Sequence, residues 1–195
     1  VGIDNLNKYY DIKLKNKRNQ ILKEFKNYIF YKTNICSKKK INQIFLKENF
    51  DIVIHLAAQA GVRYSIDHPN VYINVNLLGF FNILQNCVKF KIKKFLFASS
   101  SSVYGINKDS FFKEEANTDK PIQLYAATKK SNEVIAYAYS QLHNINVVAL
   151  RFFTVYGPWG RPDMSLFRFV GNILNNKPIQ IFNNGNHFSS QFKVN

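Results

Sequence analysis

Glycine, proline and cysteine are scarce in this chain of 195 residues, with 8, 5 and 2 copies respectively. The two cysteines, Cys36 and Cys87, fit no metal-ligand spacing, so they are expected to pack as free thiols. The shortage of glycine has a sharper consequence. Neither GxGxxG nor GxxGxxG occurs, so residues 1–195 contain no turn of the kind that cradles a diphosphate on backbone N–H groups. No run of eighteen apolar residues is present, and the first four residues have neither the charged start nor the apolar stretch of a signal peptide. The expectation is a cytoplasmic protein with no membrane partner. Acids are outnumbered, 12 Asp and Glu against 27 Lys and Arg, for a net charge of +15. Such an excess raises the question of nucleic acid. The lysines are nevertheless scattered among asparagine, isoleucine and phenylalanine, with local runs only at residues 13–18, 38–40 and 89–94, which reads as solvated surface rather than a nucleic-acid face. What is plentiful is apolar side chain: 46% hydrophobic residues suffice for one core.

Strand and helix signals alternate. Residues 1–4 read as the end of a strand closing on an acid, residues 8–26 as an exposed helix around Leu14, Ile21, Leu22 and Phe25, and residues 28–31 as a short strand. Ser37 suits the N-cap of a helix over 38–48 with Ile41, Ile44 and Phe45 inward. The run DIVIHLAA at 51–58 is of buried parallel-strand type, and His55 within it reads as a packed side chain. Pro69 and Asn70 precede a helix over 71–90 that is apolar around much of its girth and needs cover on two sides. A strand at 94–99, a helix at 122–142 and a strand at 146–152 continue the order. Residues 154–163, with their glycines and prolines, read as an irregular loop, followed by a helix at 165–176, a strand at 179–182 and a turn at 183–186. The alternation predicts an α/β, doubly wound parallel sheet with helices on both faces.

One pair of segments carries chemistry. FASSSSVYG ends a strand in hydroxyls, and Tyr125 and Lys129, four residues apart, share one helical face. A phenol has a reference pKa of about 10 and needs a nearby cation to act as a base at neutral pH. Lys129 is such a cation, and Ser100 is placed to hold the oxygen that gives up its proton. The same spacing recurs at Tyr9/Lys13, Tyr28/Lys32 and Tyr104/Lys108, but only Tyr125 has the context of strand, polar loop and helix start.

The segments GIDNLNKYYD, DIVIHLAAQAGVRYS, NLLGFFNIL, FASSSSVYG, LYAATKKSNE and LRFFTVYGPWGRPDM resemble the extended short-chain dehydrogenases/reductases, in particular the nucleotide-sugar epimerase and dehydratase group, and most of all its UDP-glucuronate 4-epimerases. The resemblance implies a Rossmann fold lacking its first strand and glycine-rich loop. An incomplete NAD-binding domain would occupy residues 1–153, and residues 154–195 would open a small sugar-nucleotide domain. It implies a tightly held NAD that is reduced and reoxidised within one cycle. Asp4 would meet the adenosine ribose and Asn34, standing where relatives carry aspartate, the adenine amine. Ala57 and Ala58 would let backbone approach the cofactor, and Asn76 would help place it. Tyr125, as phenolate, would take the C4 hydroxyl proton of a UDP-sugar. Lys129 would keep the phenol acidic and bond the nicotinamide ribose, and Ser100 would hold the C4 oxygen. Ser101 and Ser102 stand where related dehydratases and decarboxylases carry acids, which favours epimerisation. Arg161 would bind a uronate carboxylate, and Thr154 replaces the asparagine usual in UDP-glucose epimerases. Ser189 to Phe192 replace an expected arginine-aspartate pair, so truncation at both ends is expected. The full-length protein would be a homodimer through a four-helix bundle. The alternatives are a UDP-glucose 4-epimerase or another epimerase or dehydratase, and an inactive fragment or noncatalytic dinucleotide-fold protein.

Overall fold

A computed structural model describes residues 1–106 and 111–181, and the backbone alone of 191–193. Two compact units are present: residues 3–5 with 31–152, and residues 1–2 and 6–30 with 153–195. One junction lies between 152 and 153, and the grouping of residues 6–30 with the carboxyl-terminal stretch is not foreseen by the sequence.

The larger unit is built on three parallel strands, β3 (Ile52–His55), β4 (Lys94–Ala98) and β5 (Asn146–Leu150), in the order β3-β4-β5. The register pairs His55 with Phe97 and Phe97 with Ala149. Period-two alternation sends Phe95 and Phe97 to one face, where both are buried. Helices α2 (Lys38–Lys47), α5 (Phe80–Lys89) and α6 (Leu124–His143) supply Ile41, Phe45, Phe80, Ile83, Leu84, Cys87 and Ala136 to the same core. Ile41, Ile44 and Phe45 point inward as their spacing predicts, although Ser37 makes no side-chain cap bond.

The run at 51–58 is corrected by the structure. It is not buried on both faces: β3 alternates, with Ile52 and Ile54 exposed at 54% and 63% and His55 enclosed. His55 lies edge-on to Phe80 and beside Phe95, and burial, helped by the Lys129 charge, pushes its pKa down to about 3. It is a neutral core side chain. Cys87 is buried too, with its thiol pushed up to about 12 by desolvation.

The helix expected at 71–90 runs from α4 (Pro69–Tyr72) through a π-helical segment, Ile73–Gly79, into α5. By length and composition this helical stretch could cross a membrane, but Tyr72, Asn76, Phe80, Ile83, Leu84 and Cys87 are core. A π turn inserts a residue into the winding. Here it leaves Asn76 enclosed and Leu78 more than half exposed. Gly79 is where Ile35 meets the helix, and an added Cβ would come within 2.7 Å of the Ile35 side chain.

In the remaining elements, β1 (Gly2–Asp4) pairs with β2 (Phe30–Lys32), two residues later than the strand expected at 28–31. Asp11 caps α1 (Ile12–Lys23) by accepting from the Lys13 N–H at 2.8 Å. The stretch from 154 is not wholly irregular: Thr154–Tyr156 form β6, paired in parallel with β7 (Gln191–Lys193). Helix α7 is Ser165–Leu174. No strand forms over 179–181, and the expected turn at 183–186 lies outside the described residues, as do Phe182, Ser189 and Ser190.

Candidate active site

The carboxyl ends of β3 and β4 and the first turns of α6 carry Ala57, Ala58, Ser100, Ser101, Ser102, Tyr125 and Lys129. Strand β4 ends at Ala98, and Ser99 and Ser100 follow. Ser100 then caps a short 3₁₀ turn, Ser101–Tyr104, its Oγ accepting from the Ser102 N–H and lying 3.2 Å from the Ser102 Oγ. Ser100, Ser101 and Ser102 therefore form one hydroxyl-rich turn at the sheet edge. Gly105 closes it at φ +61°, where an added Cβ would collide with the Lys120 carbonyl.

Tyr125 and Lys129 lie one turn apart on α6, and Lys129 Nζ sits 6.0 Å from the Tyr125 ring centre. The ammonium donates to the Ala98 carbonyl at 2.7 Å, so the lysine is tied to the strand end that leads into Ser100. Lys129 is 3% exposed, and burial pulls its pKa down to about 8. Its cation is thus held at neutral pH and is lost as the pH rises through about 8. A buried cation costs stability. The penalty is fully present below pH 8 and is relieved as the pH rises toward the ordinary lysine value. Lys129→Met is expected to stabilise the chain at pH 7 by about 1–3 kcal/mol. The gain should shrink by pH 10, which urea melts at both pH values would show.

Asn76 is engaged on every side. Its Oδ1 accepts from the Gln59 N–H at 2.8 Å, and its Nδ2 donates to the Gln59 carbonyl and to Thr128 Oγ1, both at 3.1 Å. Thr128 in turn donates to the Tyr125 carbonyl at 2.7 Å. One buried amide therefore ties the segment after β3 to the turn of α6 that carries Tyr125. Tyr72 adds to this, its ring edge-on to Tyr125 and its hydroxyl between the Ala60 and Gly61 carbonyls.

Of the other candidates in this unit, Asp4 ends β1, exposed, its carbonyl accepting from the Thr33 N–H at 3.0 Å. Asn34 Oδ1 accepts from the Cys36 N–H at 2.9 Å, an Asx turn that occupies one side of the oxygen expected from the sequence to meet adenine. Ala57 packs against the core, and Ala58 is half-buried beside it. Residues outside the sequence-based candidates include Gln59, Thr128, Ser99, Glu133 and Arg151. The signal for Glu133 is present in the sequence, since it follows Lys129 by four residues and so continues the same helical stripe.

Thr154 and Arg161 belong to the other unit. Thr154 opens β6, half-buried. Arg161 donates through Nε and Nη2 to both carboxylate oxygens of Asp163, each at 2.8 Å. Asp163 also accepts from the Tyr9 hydroxyl, and Arg18 donates to the Trp159 and Gly160 carbonyls of the same segment.

A family model described as the NAD dependent epimerase/dehydratase family matches residues 1–188. The chain belongs to that family. The UDP-glucuronate 4-epimerase of Thermodesulfobacterium geofontis is 44% identical over 185 residues, covering 95% of this chain and 57% of the relative. UDP-glucuronate 4-epimerase 4 of Arabidopsis thaliana is 45% identical, covering 96% and 43%. Among solved structures, the UDP-glucuronic acid 4-epimerase of Bacillus cereus, in complex with UDP-glucuronic acid and NAD, aligns with a TM-score of 0.87 at 34% identity, covering 94% of this chain and 57% of that one. The chain thus spans about half the length of the curated relatives it matches. The neighbours confirm the Rossmann-type α/β fold, and the family is NAD-dependent.

As a member of an NAD-dependent family, the chain can be tested for fit to that cofactor. Small residues follow β3 and an acid ends β1, while the buried amine of Lys129 lies at the end of β4. These suit a dinucleotide laid across the carboxyl ends of parallel strands. The diphosphate lacks a glycine-rich turn within residues 1–195.

Proposed function

We propose that the protein is an NAD-dependent, cytoplasmic nucleotide-sugar epimerase that interconverts UDP-glucuronate and UDP-galacturonate at C4. The observation that carries this reading is the placement of Tyr125 and the buried Lys129 on one turn of α6, with Lys129 bonded to the strand end that leads into Ser100. NAD, when bound, supplies a hydride acceptor that gives the hydride back within the same cycle. Tyr125 takes the C4 hydroxyl proton and later returns it, so the reaction has no net redox change. Lys129 stabilises the phenolate by its charge. Ser100 holds the C4 oxygen. Asn76 acts through Gln59 and Thr128 to fix the cofactor edge, and Asp4, Asn34, Ala57 and Ala58 contact the cofactor.

Two features favour epimerisation of a uronate. Ser101 and Ser102 bring hydroxyls, not acids, to the turn beside Ser100, which disfavours elimination of water or loss of carbon dioxide. Arg161 already holds a carboxylate in a two-bond fork, that of Asp163. A guanidinium has five N–H donors, so a substrate carboxylate could share it or exchange with Asp163. Residues 1–153 then serve as the cofactor domain and 154–195 as the opening of the sugar-nucleotide domain. The exposed Ile52 and Ile54 suit cover by a further strand and helix. Leu78, Val134 and Tyr137, all more than half exposed, suit a homodimer through paired helices, which sedimentation of a full-length version would test.

The reading is tested by extending the chain at its amino end with a strand, glycine-rich turn and helix, and at its carboxyl end to the relatives' length. That protein is then offered UDP-glucuronate, UDP-glucose and NAD. UDP-galacturonate as the main product supports it. UDP-xylose, a 4-keto-6-deoxy sugar, or turnover of UDP-glucose alone would each overturn it.

A further inference from the structure

Tyr125, Lys129 and Glu133 follow one another at four-residue intervals and form one stripe along α6. The third member is fully engaged. Glu133 Oε1 accepts from the Ser99 hydroxyl at 2.5 Å and from Arg151 Nε at 3.0 Å, and Oε2 accepts from Arg151 Nη2 at 2.9 Å. Arg151 directly follows β5. It also donates to the Glu114 carbonyl at 2.9 Å and lies over the Tyr104 ring. The ion pair is largely enclosed, with side chains 20% and 11% exposed, and the Glu133 bonds hold the guanidinium above its ordinary pKa. One carboxylate therefore joins the helix of Tyr125 to the ends of two strands.

The position of Ser100 shows what this joint does. The Ser100 hydroxyl bonds within its own turn, to the Ser102 N–H and hydroxyl, and neither bond reaches α6. Two neighbours do reach it: the Ala98 carbonyl through Lys129, and the Ser99 hydroxyl through Glu133. On the other side, backbone bonds from Ser99 to Leu150 and from Ser101 to Phe152 bracket Arg151. Besides its backbone bonds to Leu150 and Phe152, the strand end has through Lys129 alone one anchor to α6. With Glu133 there are two consecutive anchors, which fix both position and direction. Displacement of a reacting group by about 1 Å can cost on the order of a hundredfold in rate.

We propose that Glu133, braced by Arg151, is a positioning residue that holds the Ser99–Ser100 strand end against the Tyr125–Lys129 face of α6. The assignment of Ser100 and Tyr125 to chemistry rests on the function proposed above, whereas the joint itself can be tested in the chain without turnover.

Ser99→Ala removes one hydroxyl at the joint and leaves the Glu133–Arg151 pair in place. In the 195-residue chain with lysine labelled at the ε-carbon, the Lys129 signal, assigned by its loss in Lys129→Met, should titrate near the value set by burial. In Ser99→Ala it should move up by about one unit or more, as the loosened strand end admits water to the amine. The melting temperature should stay within a few degrees of that of the unmodified chain. An unmoved Lys129 titration in Ser99→Ala overturns the proposal, whatever the activity. In the extended protein, the same substitution should lower kcat about tenfold with KM changed less than twofold. Glu133→Gln should cost more, and the double variant no more than Glu133→Gln alone. Additive losses, or KM rising with kcat constant, would contradict the joint. Absence of turnover in the unmodified extended protein would instead count against the proposed function, with the Lys129 titration still deciding on Glu133.

Discussion

Tyr125→Phe in the extended protein is expected to lower kcat by about three orders of magnitude, with little change in KM for UDP-glucuronate and no loss of fold. The size follows from what a positioned general base contributes, about 10²–10⁴-fold. The absence of a folding effect follows from the surroundings. The helix turn at Tyr125 is held by its backbone, through Thr128 and Asn76, and phenylalanine keeps the ring that meets the edge of Tyr72. Stopped-flow turnover and a thermal melt, run on both proteins, separate the two effects. If the phenylalanine variant retains a tenth or more of the original kcat, Tyr125 is not the base.

Arg161→Leu is the second large effect, and it is expected in selectivity. Turnover of UDP-glucuronate should fall about a hundredfold more than any residual turnover of UDP-glucose, since a two-bond guanidinium–carboxylate contact contributes only to the charged sugar. The arginine also pairs with Asp163, which itself accepts from Tyr9, so a structural share of the loss should appear equally with both sugars. Kinetics with the two substrates on one preparation separate the shares. Equal losses would assign Arg161 to holding its own segment.

What the sequence makes legible is local. The Tyr125–Lys129 pair is visible because a helix fixes the geometry of residues four apart, and α2 because Ile41, Ile44 and Phe45 repeat at the helical period. Lys129's bond to Ala98 spans 31 residues, and the Asn76 bond to Thr128 spans 52, and no period announces either. The same holds for β6. Thr154–Tyr156 sit among glycines and prolines and become a strand only because Gln191–Lys193 pair with them. β3 misleads for a related reason. An apolar run gives strand type but not which faces are covered, and Ile52 and Ile54 are exposed while their neighbour His55 is enclosed. Asn34 shows the limit for single residues: its side chain can be matched to a role, but its bond to Cys36 N–H depends on the conformation of the turn.

The central claim, that hydrogen leaves C4 of the sugar and returns to that same carbon while Tyr125 handles the proton, is tested most directly with a label. UDP-glucuronate carrying deuterium at C4 is incubated with the extended protein and NAD in ordinary water, and the UDP-galacturonate formed is read by mass spectrometry and proton NMR. The account predicts full retention of deuterium at C4 with inverted configuration. Inverted product that has exchanged its C4 deuterium for solvent hydrogen would contradict it.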